Sequence, residues 1–183
     1  MYCIRIACTT GISKTVRKDV NVIDKFDSSV ILQQHGNMVY QLALVQMKNK
    51  ADAEDVFQDV FLQLVKSAPE FQSDEHVKAW LIRVCLNRCR NYWKSFWYQK
   101  SVPLDDKIPA SDSLYDDSDI YEQVLSLGSK YRAVIHLHYY EDMPIDQISR
   151  ALNISYDTAA KRLSRAREQL RTILSKEGSC NEY

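Results

Sequence analysis

PIDQISRALNISYDTAAKRLSRAREQLRTIL, residues 144–174, decides how the rest of the chain is read. Pro144 has a fixed φ and no amide donor, so it suits the first position of a helix over 144–152. Ile145, Ile148, Ala151 and Leu152 then share one face at helical spacing. Asn153 tolerates the left-handed conformation that ends many helices. Ser155 is placed to cap a second helix, with Asp157 in its first turn against the positive end of the dipole. In that helix Ala159, Leu163, Ala166, Leu170 and Ile173 repeat every three or four residues and face inward. The opposite side carries Asp157, Lys161, Ser164, Arg165 and Glu168, flanked by Thr158 and Arg162. A short helix, a tight turn and a longer helix with a basic outer face form a helix-turn-helix, whose second helix enters the DNA major groove. The competing reading of this segment alone is a helix pair with an ordinary solvated charged face.

Working outward, 183 residues suffice for one medium domain or two small ones, and four Gly and four Pro with regular apolar periodicity predict an all-α protein. No apolar run approaches the roughly 20 residues that span a bilayer, and MYCIRIACTTG is a poor secretory signal, so a soluble cytoplasmic protein is expected. The five cysteines form no CxxC pair and no zinc-ligand spacing. Cys85 and Cys89, one helical turn apart, read as small buried thiols in preference to a redox switch.

The formal net charge is zero, but the charges are segregated. From Val77 to Lys100 every charged residue is basic, and the last helix adds Lys161, Arg162, Arg165, Arg167 and Arg171. The acids gather in Asp52–Asp59 and Asp105–Glu122. Two basic blocks around an acidic one can bind a polyanion despite a neutral total.

Residues 1–26 form an N-terminal extension whose alternation suits a short strand or a loose tail equally. A helix is expected over 27–48, with Gly36 and Asn37 able to interrupt it, and a second over 52–67 with Val56, Phe57, Val60, Phe61 and Leu64 inside. The helix dipole explains Asp52 and Glu54 but not Asp55, Gln58 and Asp59, which are either solvated or dock a basic partner. A third helix over 76–96 places Arg83, Asn87, Arg90 and Lys94 together, with Trp93, Phe96, Trp97 and Tyr98 among the cations at its end. Aromatic rings stack on unpaired bases while cations follow phosphates. Trp80 and Tyr92 read as core residues on the other side. Residues 101–119, rich in Asp and Ser with two prolines, form a flexible acidic linker and the domain boundary. Helices over 120–127 and 130–141 complete a four-helix C-terminal domain over 120–175, followed by a tail over 176–183.

Three segments, DAEDVFQDVFLQLV (52–65), VKAWLIRVCLNRCRNY (77–92) and YRAVIHLHYYEDMPIDQISRALNISYDTAAKRLSRAREQL (131–170), resemble regions 2.2, 2.3–2.4 and 4 of the extracytoplasmic-function (ECF, group IV) sigma factors of bacterial RNA polymerase. With the helix before them they cover most of residues 27–174 in the family's order. Gly128 stands where the family commonly has Pro, Asp142 and Asn153 where it commonly has Gly, and Ala159–Ala160 where Val and a variable residue are common. These departures bear on promoter preference more than on the fold.

The resemblance implies two small helical domains, region 2 over 27–100 and region 4 over 120–175. It implies that Asp55, Gln58 and Asp59 bind the clamp helices of the polymerase β′ subunit, and that the β flap is a further contact. The third helix and the loop before it would open the −10 element and hold a flipped base, with Asn87 and Phe71 in the pocket and Arg83, Arg90, Tyr92 and Lys94 along the strand. Region 4 would read the −35 duplex through Asp157, Thr158, Lys161, Arg162, Ser164 and Arg165, with Arg162, Arg167 and Arg171 to the sides on phosphates. The linker resembles the segment that threads toward the polymerase active-site channel. An anti-sigma factor is an expected partner, the free chain is expected to be a monomer, and no cofactor or metal is expected.

Two other classes compete. A stand-alone helix-turn-helix regulator would use the N-terminal half for dimerisation or sensing and would bind symmetric half-sites without polymerase. A pure interaction module, such as an adaptor or anti-sigma partner, is disfavoured by the unbroken basic block from Val77 to Lys100. An enzyme is disfavoured because His35, His76, His136 and His138 form no metal or nucleophile constellation.

Overall fold

Asp27 caps the first helix by accepting the Ser29 amide on its carboxylate at 2.7 Å. From there α1 runs over Ser28–Met47 without a break at Gly36 or Asn37, and Lys48 closes it in the left-handed region at φ 60°. A computed structural model describes residues 27–67, 69–99 and 118–178, and the expectations for 1–26, for 101–117 of the 101–119 linker and for the last five residues lie outside them, while Ser118 and Asp119, expected in the linker, already belong to a helix. Among the described residues there are seven helices and no strand. They continue as α2 (Lys50–Ser67), α3 (Asp74–Gln99), α4 (Ser118–Ser126), α5 (Ser129–Tyr139), α6 (Ile145–Leu152) and α7 (Tyr156–Gly178).

Short polar residues start these helices as their chemistry predicts. Asn49 Oδ1 accepts the Asp52 amide at 3.1 Å, Ser73 Oγ the His76 amide at 3.2 Å and Ser155 Oγ the Thr158 amide at 3.2 Å. Pro144 sits one position earlier than its spacing suggested. With φ −68° and ψ 156° it is the extended residue that precedes α6 and not the first residue inside it. The positions where the family commonly carries Gly, Asp142 and Asn153, have φ 49° and 52°. Asp and Asn are the non-glycine residues that tolerate this region best, so the turn survives both substitutions.

Helices α1, α2 and α3 form one bundle and α4 to α7 another, and the two pack together through α1 on α5 and α3 on α6. The two halves, expected as domains joined by a flexible linker, are therefore in direct contact. Its trace is in α1, where seven consecutive residues, Gln41 to Met47, are buried. A helix buried on all sides needs neighbours on all sides, and α2, α3 and α5 supply them. The buried apolar side chains of both bundles accordingly belong to one continuous cluster. Within α7, Ala159, Leu163 and Ala166 are buried and Leu170 and Ile173 pack against the core, as their spacing requires.

Candidate nucleic-acid interface

The basic face of α3 follows from helical periodicity. Arg83, Asn87, Arg90 and Lys94 line one cleft of about 600 Å³ together with Leu86 and the indole of Trp93. Arg90 Nη1 donates to Asn87 Oδ1 at 3.2 Å, and Arg83 Nε donates to the Ala79 carbonyl at 3.1 Å. Two cations are thus held at fixed points along the helix while Lys94 stays exposed. Cations, an amide and an indole on one face suit a phosphate backbone with unstacked bases.

Two residues expected with them lie elsewhere. Phe71 is buried, edge-on to the rings of His76 at 5.6 Å and Trp80 at 5.9 Å, so it forms the floor of the loop before α3 and not an open pocket. Tyr92 points to α2, where its hydroxyl donates to the Asp52 carboxylate. Burial and that bond push its pKa up to about 12. Two residues beyond Arg90, Tyr92 is rotated by roughly 200° about the helix, which takes it off the basic face.

On α2, Asp55, Gln58 and Asp59 are exposed and line a second groove of about 430 Å³ with Leu62, Arg88 and Tyr92. Arg88, one of the basic residues between Val77 and Lys100, turns to this groove and away from the basic cleft. It donates through Nη2 to Gln63 Oε1 at 2.7 Å and lies 3.9 Å from Asp59 through Nη1. Leu62 and Val65 are exposed beside this acidic row, 52% and 63%, giving α2 a mixed acidic and apolar outer face. Such a face suits a protein partner better than a polyanion.

On α7, Asp157, Lys161, Ser164 and Arg165 are exposed on the outward side. Thr158 is half-buried, its hydroxyl 2.8 Å from Ser155 Oγ. Arg162 turns to the cleft of α3 and so sits apart from the outward row. Arg171 is exposed, whereas Arg167 is tethered to α5: Nε donates to the Tyr139 hydroxyl at 2.8 Å and Nη2 lies 3.2 Å from His138 Nε2. His138 Nδ1 is 3.1 Å from the Met143 carbonyl, which can only accept, so the ring proton belongs on Nδ1 and Nε2 accepts from Arg167. Cys85 and Cys89 are buried free thiols, and the hydrogen bond between them and burial raise the Cys85 pKa. Among the described residues no group of three or more His, Cys, Asp or Glu is placed to hold a metal ion. No described helix is long and apolar enough to cross a membrane.

Separate basic, helix-turn-helix and mixed acidic and apolar surfaces suit a DNA-binding protein that works with a protein partner. The Sigma-70 region 2 family matches residues 31–97 and the Sigma-70 region 4 family matches residues 118–170. The ECF RNA polymerase sigma factor SigE of Mycolicibacterium smegmatis is 30% identical over 164 residues, covering 81% of this chain and 62% of that protein. SigW of Bacillus subtilis, another ECF RNA polymerase sigma factor, is 26% identical over 87% of this chain and 96% of its own. The fold matches the sigma factor RpoE of Bartonella quintana, solved with the anti-sigma factor NepR, at a TM-score of 0.67 and 19% identity, covering 79% of this chain and 94% of that one. The chain belongs to the sigma-70 family of RNA polymerase sigma factors, in its extracytoplasmic-function group.

Proposed function

We propose that this chain directs core RNA polymerase to specific promoters, dividing the work between residues 27–100 and 120–175. The acidic row of α2, Asp55, Gln58 and Asp59, docks on the β′ clamp helices, and region 4 meets the β flap. The face of α3 carrying Arg83, Asn87, Arg90 and Lys94 takes the −10 strand as it leaves the duplex. Returning the few kcal/mol that an extruded base loses in stacking falls to Asn87 and the neighbouring indole of Trp93. Lys161, Ser164 and Arg165 reach base edges of the −35 element, each good Arg or Lys contact to guanine being worth about 1–3 kcal/mol of discrimination. Arg171 holds phosphate. The chain is not a catalyst, acts on polymerase in the cytoplasm, and is held by an anti-sigma factor, as the Bartonella quintana RpoE is bound by NepR.

The observation that carries this reading is the separation of charge between adjacent helices: cations converge on α3 in one cleft while the acids of α2 line another. Run-off transcription with core polymerase on a library of upstream genomic fragments tests it. Starts that need this chain and share two spaced elements are expected. A core that ignores the chain, with retardation of a palindromic duplex by the chain alone, hands the case to the stand-alone regulator.

A further inference from the structure

The cleft on α3 has a second wall, which comes from the C-terminal bundle. Arg83, Arg90 and Lys94 line one side, and Lys130 of α5 and Arg162 of α7 line the other. Contacts between the bundles fix the two walls relative to each other. The buried amide of Gln46 in α1 donates through Nε2 to the Ser129 carbonyl at 3.4 Å and accepts from Ser129 Oγ at 2.7 Å. Arg132 Nη2 donates to the Gln46 carbonyl at 3.3 Å. Between α3 and the end of α5, Lys78 Nζ lies 3.6 Å from Glu141 Oε2 and 3.4 Å from its carbonyl oxygen.

Within this frame the charge is one-sided. None of the described residues lining the cleft is acidic, and none of its five cations is ion-paired among the described residues. The start of α5 adds to the positive potential. Gly128 precedes that helix without a side-chain cap, the first turn holds no carboxylate, and Gly128, Ser129 and Lys130 line the same cleft. The positive end of a helix dipole therefore opens on the cavity as well. Like charges gathered in one cleft repel each other, and an anion between them relieves the repulsion.

The remaining lining narrows the class of anion. A volume of about 600 Å³ is that of a small-molecule site, for which roughly 300–1,000 Å³ is usual. The half-buried indole of Trp93 offers a face on which a base can stack. Asn87 Oδ1 accepts from Arg90 Nη1 at 3.2 Å, which leaves Asn87 Nδ2 to donate to a ring acceptor such as a purine N7. One phosphate carries at most about −2 at pH 7 and offsets less than half of five cations. Two or more phosphates come closer to balance.

We propose that this cleft binds a purine nucleotide carrying two or more phosphates. The base lies against Trp93 and Asn87, and the phosphates span the cations of both walls and the start of α5. The nucleotide also occupies Arg83, Asn87, Arg90 and Lys94, so it and a −10 strand exclude each other; that consequence alone rests on the sigma reading above.

Isothermal titration calorimetry of the full chain in magnesium-free buffer tests the site with ATP, inorganic triphosphate and adenosine. ATP should bind about tenfold more tightly than triphosphate, the gain that a stacked base supplies, and adenosine should give no measurable heat. Lys130→Ala removes an exposed cation and should weaken ATP and triphosphate alike, each about fivefold. Trp93→Ala should bring ATP down to the affinity of triphosphate. Circular dichroism reports whether each variant keeps its helices. If Trp93→Ala loses them, the comparison of ATP with triphosphate on the unmutated chain, together with Lys130→Ala, decides. ATP that does not bind at millimolar concentration, ATP that binds no better than triphosphate, or Lys130→Ala with undiminished affinity overturns the site. The run-off assay is read separately: a chain that directs polymerase yet ignores ATP loses this site and keeps the sigma reading, and one that binds ATP without directing polymerase does the reverse.

Discussion

Acidification should loosen region 4 at α5, because His136 must acquire charge in a place suited to its neutral form. The ring is 1% exposed and stacks on Tyr140 at 5.7 Å between centroids. Burial, with the Lys78 ammonium adding to it, holds its pKa down to about 4 from an ordinary 6.5. Between those two values the unfolded chain binds the proton and the folded chain does not, so stability rises with pH across the window. The contribution is complete above about pH 6.5 and is lost as pH falls through about 4. That difference corresponds to about 3 kcal/mol. Glu141, 3.7 Å from the ring, works the other way. Burial raises its pKa, so its protonation in acid recovers part of the loss. The net fall in melting temperature from pH 7.5 to 4.5 should be roughly 5–10 °C, at 2–4 °C per kcal/mol for a chain of this size. Far-UV circular dichroism melts of the wild type and of His136→Phe, which keeps a ring against Tyr140 without a titrating nitrogen, measure it. Identical pH slopes in the two proteins would refute the assignment to His136.

Other consequences are smaller but equally direct. Asn153→Gly relieves a left-handed residue and should raise stability by a few tenths of a kcal/mol, whereas Asn153→Ala should cost about 1 kcal/mol, both read by thermal melts. Gly36 lies within unbroken α1, and a Cβ there would meet Leu32 Cδ1 at an ordinary 3.5 Å. Gly36→Ala should therefore stabilise by about 0.5–1 kcal/mol, and a lower melting temperature would show that the site has no room. Arg165→Ala should weaken binding to the cognate −35 duplex by about 1–3 kcal/mol with little effect on scrambled DNA, while Arg171→Ala should weaken both alike. Equal losses in the two titrations for Arg165→Ala would end that division of labour.

Much of this molecule can be read before any coordinates exist, because its helices are specified locally. The capping serines and asparagine, the apolar positions of α7 and the left-handed Asn153 act through neighbours within a turn or two, and periodicity reports them faithfully. The same periodicity separates Arg83, Asn87, Arg90 and Lys94 from the buried side of α3. It also puts Tyr92 on the other side with Trp80, where its hydroxyl bonds Asp52, off the face to which the family resemblance assigned it. Phe71 was beyond such reasoning, since a loop residue has no period and its place against Trp80 depends on how the loop folds back.

The sequence by itself determined seven helices, a helix-turn-helix, and the sorting of charge onto separate faces, all properties of residues a few positions apart. The docking of the two bundles was decided only by tertiary structure. Gln46 and Ser129 are 83 residues apart, and Lys78 and Glu141 are 63 apart. Nothing in a glutamine at the end of an apolar helix, or in an arginine within a buried run, names its partner. A buried polar group needs its hydrogen bonds satisfied, but satisfaction from a distant segment leaves no local periodicity. Whether the basic face of α3 looks into solvent or onto Lys130 and Arg162 is therefore settled by the packing of bundles, and by no pattern along the chain.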